Sequence, residues 1–177
     1  MTEAGGAPRV KVWDRFVRTY HWSQAALIAA SWLTADDWKW AHERLGYLLA
    51  ALLAARIAWG FVGPRNARFA SFVRPPSEVF SYLGDVRHGH ARRYLGHNPA
   101  GGAMIVALMT VIAATLLTGW LQTTDIFWGS EAMAELHEGL AVLILVLVAV
   151  HLFGVIADSF RHRENLVRAM IDGYRRS

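Results

Sequence analysis

The 177-residue sequence contains no cysteine. A chain without thiols forms no disulfides, no thiolate metal site and no C-x-x-C-H attachment of a c-type haem. Charge is also missing over long stretches, since residues 101–121 and residues 139–157 contain no Asp, Glu, Lys or Arg. Apolar runs of about 20 residues are long enough to cross a bilayer. The sequence therefore predicts a membrane protein, and its length is typical of a single domain.

Two further segments complete a predicted all-α fold, a four-helix transmembrane bundle. Residues 45–62 carry Arg56 as their one charged residue, and residues 20–35 are shorter and more polar than the other three segments. Short amphipathic helices are expected outside the bundle, one ending near residue 87.

The sequence predicts different structures for the two ends of the chain. Residues 1–9 are small and polar and are predicted to be loose. Residues 159–177 are predicted to form a cytoplasmic amphipathic helix with Ser159 as its cap.

Basic residues collect in three of the five segments that flank the predicted spans. They are Arg9, Lys11, Arg15 and Arg18 before the first span, Arg65, Arg68, Arg74, Arg87, Arg92 and Arg93 between the second and third, and Arg161, Arg163, Arg168, Arg175 and Arg176 after the fourth. The other two connections are acidic and contain only Lys39 and Arg44 as basic residues. This asymmetry predicts a multi-pass protein with both termini cytoplasmic. It also explains the net charge of +4 without a nucleic-acid partner.

The apolar helix predicted over residues 135–157 carries two histidines on one face. His137 and His151 are 14 residues apart, so their directions differ by only about 40° at about 100° per residue. They are roughly 21 Å apart along the helix axis. A histidine inside lipid is costly and usually marks a functional site. The alternative is that His137 caps the helix and His151 is hydrogen-bonded in the core.

Helix direction places two other histidines at the same two depths. His42 lies at the outer end of the second span with His137, and His21 lies at the inner end of the first span with His151. Two neutral imidazoles that face each other suit the axial positions of a haem iron. Zinc prefers four clustered ligands, and the spans lack the carboxylates of a proton relay. Because the chain has no cysteine, the predicted cofactors are two non-covalent haems b.

Arg56 is predicted to lie at the inner level of the bundle. It follows His42 by 14 residues on the same face and is roughly 21 Å deeper. An arginine at this depth needs an anion or a route to water. Either it snorkels to the cytoplasmic headgroups, or it pairs with a buried carboxylate such as a haem propionate. We predict that Arg56 and Arg18 lie near the inner haem. His97, before the third span, is predicted to cap that helix or lie at the surface.

A series of short motifs resembles the prokaryotic cytochrome b561 family, which includes the cytochrome b subunits of nickel–iron hydrogenases. The motifs are VWDRFVRTYHW (12–22), HERLGY (42–47), RIAWGFVG (56–63), GHNPAGG (96–102), LTGW (117–120), ELHE (135–138) and HLFGV (151–155), followed by HRENLVRAMI (162–171). The resemblance extends over nearly the whole chain from residue 10. It implies a four-helix membrane anchor with two haems b, and ligands at His21, His42, His137 and His151.

The resemblance also implies a function, namely electron transfer across the bacterial inner membrane. Electrons would pass between the quinone pool and a periplasmic redox protein, either a cytochrome c or an oxidoreductase subunit. An iron with two axial histidines has no open site, which favours one-electron transfer over oxygen chemistry. An electron-transfer subunit is therefore favoured over an enzyme that converts a substrate on its own.

Two other hypotheses stay open at this point. One is a stand-alone quinone oxidoreductase that uses a small periplasmic substrate such as superoxide, although acidic outer loops do not steer an anion. The other is a haem-free helical membrane protein with a structural or transport role.

The charge pattern generates a prediction about topology. Reporter proteins fused after Ser177 or inserted within residues 65–93 should be active in the cytoplasm, and one inserted within residues 123–134 should be active in the periplasm. The opposite assignment would also contradict the histidine pairing, because that pairing depends on helix direction.

Overall fold

Long helices dominate the computed structural model, which describes residues 8–177. The helices are α1 (Arg15–Thr34), α2 (Lys39–Val62), α3 (Phe69–Phe72), α4 (Pro76–Arg87), α5 (Pro99–Leu121), α6 (Glu131–His162) and α7 (Leu166–Asp172), with a 3₁₀ turn at Arg65–Ala67. Two short strands, β1 (Arg9–Lys11) and β2 (Tyr174–Arg176), complete the described part of the chain.

Helices α2, α5 and α6 are each long and apolar enough to cross a membrane. They correspond to three of the four predicted spans. Helix α1 has 20 residues, which is also about the length that a bilayer requires. Its polar residues, among them Ser23, Gln24 and Ser31, make it less apolar than the other three. The structure is therefore a helical membrane protein with three clear candidate spans and a fourth, more polar long helix.

Two helical hairpins form the bundle. Helix α1 packs along α2 and α5 packs along α6, and the hairpins meet where α2 contacts α5. Their shared core is a layer of four buried apolar side chains, Leu49, Leu53, Ile112 and Ile144. Leu49 follows His42 by seven residues and Ile144 follows His137 by seven, which is close to two helical turns. The core layer therefore lies between the two levels at which histidines occur.

A small antiparallel sheet joins the two described ends of the chain on one side of the bundle. Arg9 of β1 lies opposite Arg176 of β2, and a buried cluster that includes Val12, Trp13 and Ala169 packs beside them. The N-terminal prediction concerned residues 1–9. Residues 1–7 lie outside the described part of the chain, whereas Arg9 is in a strand.

Glu164 anchors this side of the bundle. Its Oε2 accepts hydrogen bonds from Arg175 Nη2 at 2.8 Å and Nε at 3.2 Å, and from Arg93 Nη2 at 3.3 Å. Its Oε1 accepts the Arg176 backbone N–H at 2.8 Å. Arg175 Nη1 in turn donates to the carbonyls of Tyr94, Leu95 and Gly96. One buried ion pair thus connects the end of α6, strand β2 and the segment that precedes α5.

The C-terminal segment differs from the helix predicted over residues 159–177. Helix α6 continues to His162, and the chain then turns at Arg163, whose φ is +49°. Helix α7 is a separate short helix capped by the side chain of Asn165. Ser159 does not begin a helix as predicted but lies inside α6, where its hydroxyl donates to the Val155 carbonyl and accepts the Leu166 N–H at the start of α7. The turn at Arg163 reverses the chain, so that β2 can pair with β1.

The Glu164 contacts predict that Glu164→Gln destabilises the protein by about 3–5 kcal/mol, because it leaves the buried Arg175 guanidinium without its counter-ion. The free energy of unfolding, measured by denaturant titration in detergent at pH 7, checks this. Glu78→Gln is the control, because Glu78 pairs with Arg74 at 4.0 Å on the exposed surface and such pairs contribute about 0–1 kcal/mol. Equal losses in the two variants would contradict the role of Glu164.

The same carboxylate should make stability depend on pH. Burial raises the pKa of Glu164, but the hydrogen bonds from Arg175 and the Arg176 N–H outweigh it and lower the pKa from 4.5 to about 2. A lowered pKa stabilises the folded state above the unfolded value of 4.5, and this contribution disappears as the pH falls toward 2. The stability difference between wild type and Glu164→Gln should therefore be full above pH 4.5 and shrink between pH 4.5 and 2.

Candidate cofactor sites between paired histidines

Two pairs of imidazole rings face each other inside the bundle. The ring centroids of His42 and His137 are 6.1 Å apart, and those of His21 and His151 are 6.3 Å apart. We call the first the outer pair and the second the inner pair, which lies at the end of the bundle that carries β1 and β2. In each pair one ring comes from the α1–α2 hairpin and the other from α6. The imidazoles therefore connect α6 to helices along which it does not pack closely.

The ring separations match what a shared metal requires. A bond from a metal to an imidazole nitrogen is about 2 Å long, and that nitrogen lies about 1 Å from the ring centre. Two rings that bind one metal from opposite sides thus have centroids roughly 6 Å apart. Among residues 8–177 no group of three or more His, Asp or Glu side chains could hold a metal ion. The arrangement suits a metal that needs only two protein ligands.

Hydrogen bonds fix the orientation of the outer pair. His42 Nδ1 donates to the Ser31 carbonyl at 2.8 Å, and His137 Nδ1 donates to the Thr115 carbonyl at 2.9 Å. The Thr118 hydroxyl oxygen lies 3.1 Å from the same His137 nitrogen. Because Nδ1 carries the proton, Nε2 keeps the lone pair that binds a metal.

The inner pair lacks such hydrogen bonds. His21 Nδ1 is buried and has no hydrogen-bond partner among the described residues, and the His21 ring contacts Trp22 edge-on at a centroid distance of 5.1 Å. The two levels therefore hold their imidazoles by different means, the outer one by backbone carbonyls and the inner one by packing.

Arg56 is buried against Tyr20, the neighbour of His21 in the chain, with 3% of its surface exposed. Its guanidinium carbon lies 5.9 Å from the centre of the Tyr20 ring and 5.4 Å from that of Phe69. Its Nη1 has no hydrogen-bond partner, and no carboxylate of residues 8–177 pairs with it. A snorkelling arginine keeps its head group in water, whereas this one is enclosed. An enclosed cation without a counter-ion fits an acidic group supplied by a cofactor.

Arg18 has a protein contact that sequence reasoning missed. Its Nη1 donates to the Ile171 carbonyl near the end of α7. A cation at the C-terminal end of a helix satisfies a free carbonyl and interacts favourably with the helix dipole. Arg18 therefore holds α7 against α1, which adds a structural role to the predicted one near the inner site.

His97 does not cap α5. The cap is Asn98, whose side chain accepts the Gly101 N–H at 2.7 Å. The His97 ring packs between Trp13 and Phe72, at centroid distances of 4.5 Å and 5.0 Å. Burial, followed by the charge of Arg56, lowers the pKa of His97 to about 3. His97 is thus a neutral packing residue beneath the inner pair.

The chain is similar to known proteins over most of its length. The family model for prokaryotic cytochrome b561 matches residues 12–173. A probable Ni/Fe-hydrogenase B-type cytochrome subunit of Bradyrhizobium diazoefficiens is 25% identical over 97% of this chain and 88% of its own length. Proteins of the same description are 22% identical in Rhodobacter capsulatus, over 94% and 81%, and 28% identical in Rhizobium leguminosarum bv. viciae, over 76% and 66%. No solved structure matches the chain.

The outer pair generates a prediction for Gly119. A Cβ at this position would lie 3.0 Å from His137 Cε1 and 3.4 Å from Nδ1, and the Thr115 carbonyl keeps the ring from moving away. Gly119→Ala should therefore displace the His137 ring and lower the amount of six-coordinate, low-spin haem in the visible spectrum of the purified protein. Gly84→Ala is the control, since a Cβ at Gly84 meets nothing within 4 Å. Identical spectra for the two variants would contradict the predicted role of His137.

Proposed function

Because the chain belongs to the prokaryotic cytochrome b561 family, we propose that it holds two haems b and carries electrons across the bacterial inner membrane. One end would exchange electrons with the quinone pool and the other with a periplasmic redox protein. Family membership by itself makes the chain a membrane-integrated b-type cytochrome that binds haem and transfers electrons. We propose four points beyond family membership: the number of haems, the fourth span, the orientation in the membrane and the partners. The observation that supports them best is the presence of two facing imidazole pairs at two levels.

The residues at each level fit a haem. Each pair offers two imidazole rings at a separation suited to one iron, and the chain has no thiol that would attach the group covalently. Bound haem b supplies one-electron chemistry between the ferrous and ferric states. His42 with His137, and His21 with His151, would hold the iron, and a group held by two protein ligands would have no free position for oxygen. Arg56 would supply the counter-charge for an acidic group of the cofactor at the inner level.

The core layer between the two levels separates them from each other. Ile112 is fully buried, and Leu49, Leu53 and Ile144 are at most 5% exposed. Such a layer excludes water and ions, because unpaired charge is costly in an apolar interior. The histidines on α6 are roughly 21 Å apart along the axis. The layer thus offers protons no polar route from one level to the other.

Helix α1 is proposed as the fourth span. It carries His21, which must face His151, and it runs beside the membrane-spanning α2. Two polar side chains of α1 bond within the helix, since the Tyr20 hydroxyl donates to Gln24 and the Thr34 hydroxyl donates to the Ala30 carbonyl. A helix pairs its backbone groups internally, so a helix with some polar side chains can cross a membrane beside apolar neighbours. With four spans, the basic side that carries β1 and β2 is cytoplasmic.

The chemistry of the outer end supports a periplasmic protein partner. Its carboxylates are Asp36, Asp37, Glu43, Asp125, Glu131, Glu135 and Glu138. An acidic face attracts a basic protein surface and repels a small anion such as superoxide. The relatives are described as hydrogenase subunits, so a periplasmic oxidoreductase is one partner class and a cytochrome c is another. The alignment with the Bradyrhizobium protein extends over 219 positions, more than the 177 residues here, so that relative contains segments this chain lacks.

The haem content of the purified protein tests the proposed function directly. A pyridine haemochrome assay should return two haems b per chain, and the visible spectrum should be low-spin. One haem or none per chain would contradict the proposal.

Arg56 provides a separate prediction about the inner level. Loss of one partner from a desolvated charge pair typically costs about 3–5 kcal/mol, so Arg56→Gln should weaken or empty the inner site and spare the outer one. Haem content and the number of redox transitions measure this. Arg44→Gln is the control, because Arg44 lies on the same helix, is exposed and stacks on Trp40. If both variants keep two haems of unchanged potential, Arg56 has no counter-ion role.

A further inference from the structure

We propose that α4 is a binding surface for anionic phospholipid, with Phe80 and Leu83 among the acyl chains and Arg87 at the headgroups. Helix α4 (Pro76–Arg87) is separate from the helices that are long and apolar enough to cross a membrane, and the proposed function gives it no role. The inference requires that α2 and α5 cross a membrane, but it requires neither a haem nor a particular orientation. It therefore goes beyond the proposed function and can fail independently of it.

One face of α4 packs against the bundle. Tyr82 is 6% exposed, and Val79 and Val86, three residues before it and four after it, are half-buried. The Tyr82 ring meets the Tyr94 ring edge-on at a centroid distance of 5.8 Å, and the helix packs against α5. These contacts fix the rotation of α4, so the directions of its other two faces are fixed as well.

A second face of α4 is apolar and exposed. Phe80 is 71% exposed and Leu83 is 46% exposed. With Pro76 and Arg87 they follow one another at intervals of four, three and four residues, so all four lie within about 60° of the helix circumference. Large apolar side chains that are turned away from the protein mark a surface that meets a membrane or a partner.

The third face of α4 is polar and lies opposite the apolar one. Glu78, Ser81 and Asp85 are exposed and line a polar groove together with Arg92. The mean directions of the polar and apolar faces differ by about 170°. Glu78 and Asp85 are the acidic residues of α4, so the apolar face carries no negative charge. A helix with this division lies in the plane of a membrane surface, with its apolar face in the acyl region.

The position of α4 in the chain favours lipid over a protein partner. The helix lies in the connection between α2, which ends at Val62, and α5, which begins at Pro99. Because consecutive spans cross a membrane in opposite directions, these two helix ends mark the same membrane surface. Phe61 and Val62 are 70% and 73% exposed, so apolar surface extends to the end of α2. The apolar face of α4 therefore has a bilayer within reach without any second protein.

Charge favours anionic lipid over neutral lipid. The connection, residues 63–98, contains six arginines and two carboxylates. Arg87 ends the apolar face, is exposed and takes part in no ion pair within residues 8–177. The long side chain of an arginine reaches the headgroups while its apolar neighbours are inserted among the acyl chains. Basic residues on an amphipathic helix attract anionic headgroups.

Fluorescence quenching by brominated lipid tests the proposal, because the chain has no cysteine and an introduced one is labelled uniquely. The full chain with Leu83→Cys carries a bimane label in nanodiscs of equal phosphatidylcholine and phosphatidylglycerol, with only one of the two lipids brominated. Emission is referred to discs without bromine. Both lipids should quench the label, and brominated phosphatidylglycerol should quench it more strongly. The same label at Ser81→Cys, on the polar face, should be quenched by neither.

An arginine variant tests the preference for anionic lipid. Arg87→Gln should lower the ratio of the two quenching efficiencies by up to about fivefold, which corresponds to about 1 kcal/mol for one arginine near anionic headgroups. Arg92→Gln, in the groove on the polar side, is the matched control and should leave the ratio unchanged.

Two results would overturn the proposal. Equal quenching by the two lipids in the protein with Arg87 present would contradict the preference for anionic lipid. Absence of quenching from Leu83→Cys and also from Phe80→Cys would place the apolar face in water or under a protein, such as a second copy of the chain. Haem content of the same samples is measured separately. A haem-free protein that shows the expected quenching would contradict the proposed function and leave this inference in place.

Discussion

Two imidazoles on one face of α6 must be satisfied in a medium that offers few hydrogen-bond partners. Their spacing of 14 residues gives them nearly the same direction and places them at two depths. The α1–α2 hairpin provides one histidine at each depth, and both pairs lie in the gap between this hairpin and α6. The packing of α5 along α6, the core layer between the levels and the enclosed Arg56 surround this arrangement.

The two levels share a ligand type but differ in their surroundings. At the outer level helix carbonyls and Thr118 hold the imidazoles, and the nearby surface is acidic. At the inner level the imidazoles are held by packing, and Arg56 and His97 lie close by. The same chemical group therefore meets two electrostatic environments within one bundle.

Much of the site could be predicted because helical periodicity and charge pattern are local properties. Spacing along α2 and α6, with the helix directions, predicted which histidine rings face each other. The binding of iron by these histidines and the role of Arg56 at the inner level stay predictions. The three most apolar spans were also predicted correctly, whereas the fourth predicted span, residues 20–35 in the more polar α1, stays a prediction.

The remaining contacts depend on residues far apart in the chain. The pairing of β1 with β2 and the contact of Arg18 with Ile171 join the two ends, and no local pattern indicates them. The prediction of one C-terminal helix is wrong for the same reason, because the chain turns at Arg163 and β2 then pairs with the distant β1. The contact of Gly119 with His137 depends on how α5 is rotated against α6, which sequence spacing does not determine.

The pairing of the four histidines is the central claim, and electron paramagnetic resonance of the four single His→Ala variants tests it most directly. Each variant should lose one low-spin ferric signal and keep the other. His42→Ala and His137→Ala should keep the same signal, and His21→Ala and His151→Ala should keep the second one. If His137→Ala instead matched His21→Ala, the pairing would be wrong, and with it the arrangement of the helices around the two proposed haem sites.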